Sequence, residues 1–366
     1  MEKQKENFTE ETNQEPQEET KKQKKGFMSM VMKSMGMGTK SPEVKYRVIS
    51  YPELIDDKKT MKAYAAHIPW MTYREGFNSI DGYESDTGWG CMIRVAQMML
   101  AFTLMKHFKY KMGPELNKTL LIQDLMKTIL PLFLDNYVQY ESPFSIKNIV
   151  AEGEKMINKG AGEWYGAHSI SQVIKQVNDK YNSQHSTFKI LTFNDGLIYK
   201  NEVDQVFTDI KENGCLIIVP LRLGLKKIDK CYYTQIKKAL SHPLSAGILG
   251  GKSVYALYCI GYYNEKLITH DPHTEQETVE EVNDSTFPTF VNPHPKIISF
   301  SECDTTMAFC FFCNNQDEAL SLYKTIESWE STEEDEYLIC VKDQNEQVKY
   351  SYDEDNPEFD YDFELI

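Results

Sequence analysis

Ser85-Asp-Thr-Gly-Trp-Gly-Cys-Met-Ile-Arg94 constrains the fold more than any other stretch of this chain. A glycine-rich turn runs straight into Cys91, and Cys91 opens an apolar segment in which Met92, Ile93, Ala96, Met99 and Leu100 recur on one face, out to about Lys109. That periodicity predicts a helix with its apolar face turned inward. Its first residue is then a cysteine. Helix N-termini carry partial positive charge and unpaired N–H groups, and both favour thiolate over thiol. Gly88 and Gly90 let the backbone turn sharply and approach a substrate, with Trp89 between them as a wall. A buried structural cysteine is the competing reading of Cys91 taken alone.

Far downstream, Thr269-His-Asp-Pro-His273 supplies a partner. In an extended strand Asp271 and His273 face the same side and His270 the other. Pro272 bends the chain where a strand end permits it. A base that takes the thiol proton, steered by a carboxylate on its other nitrogen, is the general arrangement of catalytic triads. The residues therefore describe a cysteine hydrolase. The Cys91 N–H is one candidate oxyanion donor, and spacing leaves open which phenol or indole supplies a second.

The remaining chain bounds this reading. With 40 Lys and Arg against 55 Asp and Glu, the net charge of −15 argues against nucleic acid as a main partner. Eight cysteines lack a repeated spacing. Cys310-Phe-Phe-Cys313 has no second pair or histidine at zinc-finger distance, so it reads as buried strand residues and no metal or cofactor is expected. A polar N-terminus without a secretory signal, and no apolar run of membrane-spanning length, make a cytoplasmic chain with free thiols the expectation. Residues 1–43 are expected to be a disordered extension, charged and polar to about Lys25. Within it, Phe27, Met28, Val31, Met32 and Met35 at helical spacing behind a lysine run suit either a transient membrane-surface contact or a flexible linker.

Helical patterns follow at Ser169-Ile-Ser-Gln172, read as a capping box ahead of Ile170, Val173, Ile174 and Val177, and at Val203 to Ile210. Strand patterns are Cys215–Val219 ended by Pro220, Val254–Ile260, Leu267–Asp271, Met307–Phe312 and Tyr337–Val341. Helices gather early and strands late, which favours an α+β fold. Beyond about Asp343 the chain is acidic.

At these residues the chain closely resembles the autophagins, cysteine proteases of papain-like fold. The matching blocks are Met71-Thr-Tyr-Arg-Glu-Gly-Phe77, Ser85 to Arg94, Gln97-Met-Met-Leu-Ala101, Trp164-Tyr-Gly166, Pro220-Leu-Arg-Leu-Gly-Leu225, Gly250-Gly-Lys252 and Asp271-Pro-His-Thr274. They run through a catalytic domain expected at 44–344. The resemblance implies an α+β, papain-like fold with the nucleophile at the N-terminus of a helix packed on a mainly antiparallel sheet. It implies Cys91 as nucleophile, His273 as base, Asp271 as orienting carboxylate, Tyr73 as second oxyanion donor and Trp164 as a cover over the cleft. It places a lifting loop at Ser241 to Lys252 and a substrate contact at Arg222. The implied substrates are GABARAP-type ubiquitin-like modifiers, cut after a glycine, both as free precursors and as conjugates to phosphatidylethanolamine, by a monomeric enzyme. In the acidic tail, 345–366, Phe363 and Ile366 fit an aromatic-x-x-aliphatic motif that docks on such modifiers by strand addition. Where some relatives carry a second, redox-linked cysteine, this chain has Val95. A deubiquitinase-type thiol hydrolase and a non-catalytic modifier-binding protein are the alternatives.

Overall fold

The computed structural model describes residues 45–117, 121–136, 141–181, 188–194, 196–209, 214–253, 255–329 and 337–343. The segments 1–43 and 345–366, with the stripe at 26–40 and the motif residues Phe363 and Ile366, lie outside the described residues.

The helices are α1 (Lys58–Ala65), α2 (Cys91–Asn117), α3 (Ile122–Ile129), α4 (Ile146–Ile157), α5 (Ala167–Tyr181), α6 (Lys200–Asp209), α7 (Tyr233–Ser241) and α8 (Gln316–Glu327). The strands are β1 (Arg47–Val48), β2 (Tyr73–Ile80), β3 (Tyr83–Ser85), β4 (Lys189–Thr192), β5 (Leu197–Tyr199), β6 (Cys215–Arg222), β7 (Ser245–Lys252), β8 (Tyr255–Tyr263), β9 (Lys266–His270), β10 (Glu275–Glu277), β11 (Lys296–Ser299), β12 (Thr306–Cys313) and β13 (Cys340–Lys342). The main sheet runs β11-β9-β8-β7-β12-β6-β4, with β1 also paired to β8. Every pairing in it is antiparallel except β4 with β6. The fold is thus α+β and papain-like, as the sequence predicts. A small sheet, β10-β2-β3, lies beside it, with β10 parallel to β2.

The helix behind Cys91 departs from expectation. From Cys91 to Met105 every residue is buried, so α2 is enclosed on all sides and has no solvent face along this length. It packs on β7 and β8 and also against α3 and α5. Met92 to Met105 contains only three polar residues, Arg94, Gln97 and Thr103, which is the composition of a helix buried all round. Each of the three has a partner: Arg94 binds Asp86 and Asp135, Gln97 donates to the Phe144 carbonyl, and Thr103 donates to Met99 Sδ.

Four other expectations are corrected. Ser169 does not open its helix: α5 begins at Ala167, and Ser169 Oγ accepts from the Gly166 N–H at 2.9 Å, acting from within the first turn. Pro220 does not end its strand, which continues to Arg222. The Ile218 carbonyl points toward β4, where it accepts from Phe193, and Pro220 two residues later points the same way. Since β4 ends at Thr192, no ladder hydrogen bond is lost there. Ser241 to Lys252 is not a loop: α7 ends at Ser241, and Ser245–Lys252 is a buried strand between β8 and β12. The strand read at Tyr337–Val341 is paired only over Cys340–Lys342. Cys310 and Cys313 lie on buried β12 and, three residues apart, face opposite sides.

Candidate active site

Asp86 and Arg94 lock the turn that carries Cys91. The fully buried Asp86 carboxylate accepts from the Arg74 backbone N–H at 2.7 Å and from Arg94 Nε and Nη2, both at 2.9 Å. Arg94 also reaches Asp135 Oδ2 at 2.9 Å. The Asp86 carbonyl accepts from Trp89 and Gly90, closing the turn. A Cβ at position 90 would sit 2.2 Å from Asp86 Oδ2, so only glycine fits between carboxylate and helix. Cys91 then begins α2, and its N–H points out of the helix start.

The imidazole arrives from the sheet. β9 ends at His270, so Asp271 and His273 sit just beyond the strand rather than in it. His273 Nδ1 lies 2.6 Å from Asp271 Oδ1, which also accepts the His273 backbone N–H at 2.9 Å. The other carboxylate oxygen pairs with Lys296. Trp70 Nε1 donates to the Asp271 carbonyl at 2.7 Å, and the Tyr73 N–H to the Pro272 carbonyl at 3.0 Å. Parallel pairing of Glu275 with Tyr73 carries Tyr73 alongside. Its ring stands edge-on to His273 with centroids 5.3 Å apart, while Tyr255 covers the imidazole at 4.3 Å. His273, the Ala256 backbone and the Tyr73 hydroxyl are the groups that act on the Cys91 thiol.

These contacts set the charges. Burial pushes the Cys91 thiol up, but the bonds from His273, Ala256 and Tyr73 outweigh it and leave Cys91 below the ordinary thiol value. Burial pushes His273 down, but Asp271 and Cys91 raise it to about 9. Asp271 is pushed up by burial and brought down to about 2 by His273 and Lys296. Tyr73 is raised by burial and by Cys91, so its phenol stays protonated and remains a donor. The Cys91 and His273 shifts both favour the thiolate–imidazolium pair over the neutral pair. Cys91 alkylation by iodoacetamide is therefore expected to begin below the ordinary thiol range. Cleavage is expected to fall as pH rises through about 9, where His273 loses the proton that a leaving group needs. Both limbs are read from rates measured between about pH 5 and 10.5. A single ordinary thiol titration would exclude the ion pair.

A cleft of 220 Å³ opens on the sulfur, lined by Cys91, Trp164, Tyr165, Gly250, Gly251 and Tyr255 among others. Trp164 is 53% exposed and its Nε1 donates to the Gly88 carbonyl at 2.6 Å, which fixes the indole beside the Cys91 turn. Gly250 and Gly251, at the end of β7, are the part of Ser241 to Lys252 that reaches the cleft. A larger cavity of 360 Å³, lined by Phe102, Met105, Lys106, Leu125 and Phe312, contains none of these groups. Chemistry rather than volume identifies the site. Arg222 ends β6 outside the cleft lining, folded back on the carbonyls of Gly224 and Leu225. Among the described residues no group of three or more His, Cys, Asp or Glu side chains is arranged to hold a metal, and no helix is long and apolar enough to cross a membrane.

Sequence reasoning missed Tyr255, Lys296 and Trp70. None has a local signature, since each meets the histidine loop only through tertiary folding. Asp86 and Arg94 lay inside the block that marked Cys91, but their pairing across the turn has no spacing rule to announce it.

A cysteine, histidine and carboxylate joined across a cleft, with the cysteine heading a helix packed on an antiparallel sheet, define a thiol hydrolase of papain-like architecture. Residues 58–325 match the peptidase C54 catalytic domain. Similar chains include cysteine protease ATG4B of Gallus gallus, 30% identical over 295 residues, covering 68% of this chain and 71% of that protein. Cysteine protease ATG4A of Homo sapiens is 31% identical over 284 residues, with 68% and 69% covered. The probable cysteine protease ATG4 of Kluyveromyces lactis is 31% identical over 252 residues, with 68% and 55% covered. The chain belongs to the peptidase C54 family, the autophagins.

Proposed function

We propose that this protein cleaves GABARAP-type ubiquitin-like modifiers after their C-terminal glycine, both processing precursors and releasing the modifier from phosphatidylethanolamine. The observation that carries the reading is that Cys91 heads a helix in a cleft it shares with Trp164, its thiol acted on by His273, whose Nδ1 is held 2.6 Å from Asp271. The Cys91 thiolate attacks the glycine carbonyl carbon, and the resulting oxyanion takes the Cys91 N–H and the Tyr73 hydroxyl. The imidazolium of His273 gives its proton to the departing amine, leaving a thioester. Water, giving a proton back to His273, then releases the acid and restores the thiolate. A peptide and a lipid amide differ here only in the leaving amine. Glycine is selected because Trp164, Tyr165, Gly250 and Gly251 wall the approach closely.

The domain at 44–344 carries this chemistry, as a monomer in the cytoplasm. Arg222 contacts the folded modifier, and the tail 345–366 docks Phe363 and Ile366 on the modifier's sheet edge, raising its effective concentration. The test is a gel assay with a GABARAP-type modifier and with ubiquitin, each carrying the same C-terminal extension. Cleavage of the modifier alone supports the reading; preferential cleavage of ubiquitin makes the protein a deubiquitinase.

Trp164 acts as the gate. Trp164→Ala is expected to speed labelling of Cys91 by a bulky maleimide severalfold, with little change for iodoacetamide, as followed by mass spectrometry. Equal effects on both reagents would show that the indole does not restrict access.

A further inference from the structure

His270 precedes Asp271, is completely buried, and takes no part in the reaction described above. Its neighbours fix its chemistry. Asn292 Oδ1 accepts from the His294 N–H at 2.8 Å, so the amide NH₂ of Asn292 is the end turned toward His270. That NH₂ lies 3.0 Å from His270 Nδ1 and donates to it, which requires Nδ1 to be unprotonated. The proton is therefore on Nε2, which donates to the Ala65 carbonyl at 3.1 Å. Burial holds the ring in this neutral form down to about 4. One tautomer thus joins the end of α1, the end of β9 and the segment that leads into β11.

The neighbourhood of Asp271 is made from those same segments. Trp70, shortly after α1, binds the Asp271 carbonyl through its indole and the Phe290 carbonyl through its backbone N–H. Lys296, the first residue of β11, binds the Asp271 carboxylate. We propose that His270 is a positioning residue: by clamping α1 and the Asn292 segment around the end of β9, it aims the Asp271 carboxylate at His273 Nδ1 and so sets the imidazole against Cys91. The proposal rests on the reading of Cys91, His273 and Asp271 as the reacting groups.

The physical reason is the short reach of orientation effects. Asp271 leaves the strand ladder at once, so its direction depends on side-chain contacts and not on sheet hydrogen bonds. Small misplacements of a catalytic group cost disproportionately in rate. A leucine at 270 would fill much of the same volume but leave the Asn292 NH₂ without its histidine partner, while the Ala65 carbonyl would keep the Ile68 N–H.

The test uses full-length His270→Leu and Asn292→Leu proteins, the second keeping the histidine but removing the donor to its Nδ1 together with the acceptor of the His294 N–H. Thermal unfolding establishes that each is folded. The pH dependence of Cys91 alkylation then reads the ion pair directly, and cleavage of the extended modifier reads the rate. With the carboxylate misaimed, the alkaline limb set by His273 is expected to move down by about one pH unit, a tenfold change in proton affinity. In His270→Leu, kcat is expected to fall about 10- to 100-fold with KM little changed. Asn292→Leu is expected to change both in the same direction by less, and it carries the test if His270→Leu fails to fold. Folded variants whose alkaline limb stays at the wild-type position overturn the proposal, whatever their melting temperature, because a merely structural histidine would change stability alone. Wild-type protein in which Cys91 titrates as an ordinary thiol would instead overturn the catalytic reading, and the proposal with it.

Discussion

Cys91→Ala is expected to abolish cleavage of an extended GABARAP-type modifier, lowering kcat by about 10⁴-fold or more, while leaving modifier binding intact. The size follows from what is lost. In the proposed reaction the sulfur forms the covalent bond, and no nearby group would replace it: Tyr73 is held as a neutral phenol, and His273 is paired with Asp271. Retained binding follows from how little space the change empties. Cys91 is 8% exposed, and alanine removes a single heavy atom from the floor of a cleft whose walls come from other elements. Gel assays of cleavage and a binding titration on the same samples decide the matter. If binding disappears together with cleavage, Cys91 holds structure and the catalytic assignment fails. Substantial cleavage by the alanine protein would require a different nucleophile.

The second large effect is predicted at Asp86. Asp86→Ala removes three hydrogen bonds at once and leaves the Arg94 guanidinium, 3% exposed, with Asp135 as its remaining carboxylate. Breaking one side of a buried ion pair costs about 3–5 kcal/mol, because the surviving charge stays desolvated. For a chain of this size, thermal unfolding should fall by about 4–7 °C. Activity should decline as well, since this carboxylate ties the Arg74 backbone and Arg94 to the turn that carries Cys91. Asp86→Asn keeps an acceptor for the Arg74 N–H but not the charge, so its expected effect is smaller. Circular dichroism melts of the three proteins measure this. An Asp86→Ala protein melting within about 2 °C of wild type would mean that the buried pair contributes nothing net, as isosteric replacement of such pairs sometimes shows.

Much of the site was legible because its signals are local. A glycine turn before an apolar run marks a helix start, and it marked Cys91. Asp271 and His273, two residues apart around a proline, stand within side-chain reach of each other in almost any extended conformation. The same locality explains the errors. Ser169 has the sequence of a cap, yet the chain turns three residues earlier at Gly166, where the approach of α5 to its neighbours is set. Pro220 normally stops a strand, but whether its missing N–H matters depends on whether β4 extends beside it. The Gly-rich run before Lys252 looks like a loop because glycine weakens strands; pairing on both sides by β8 and β12 overrides that preference. Burial of α2 on all sides is written in its composition, with only three polar residues from Met92 to Met105, rather than in the periodicity of one face.

The sequence by itself determined the inventory of reactive groups, the helix that begins at Cys91, the α+β order of elements and the pairing of Asp271 with His273. Each of these is set by backbone preference or by side chains a few residues apart. Only the tertiary structure decided that His273 meets Cys91, that Tyr73 is carried in on a parallel strand beside it, that Tyr255, Lys296 and Trp70 surround the imidazole and its carboxylate, and that His270 is clamped between Ala65 and Asn292. Those contacts join segments far apart in the chain. They form because α2 and the main sheet bury their apolar surfaces against one another, and the hydrophobic effect, being non-directional, leaves no mark of the final partners at any single residue.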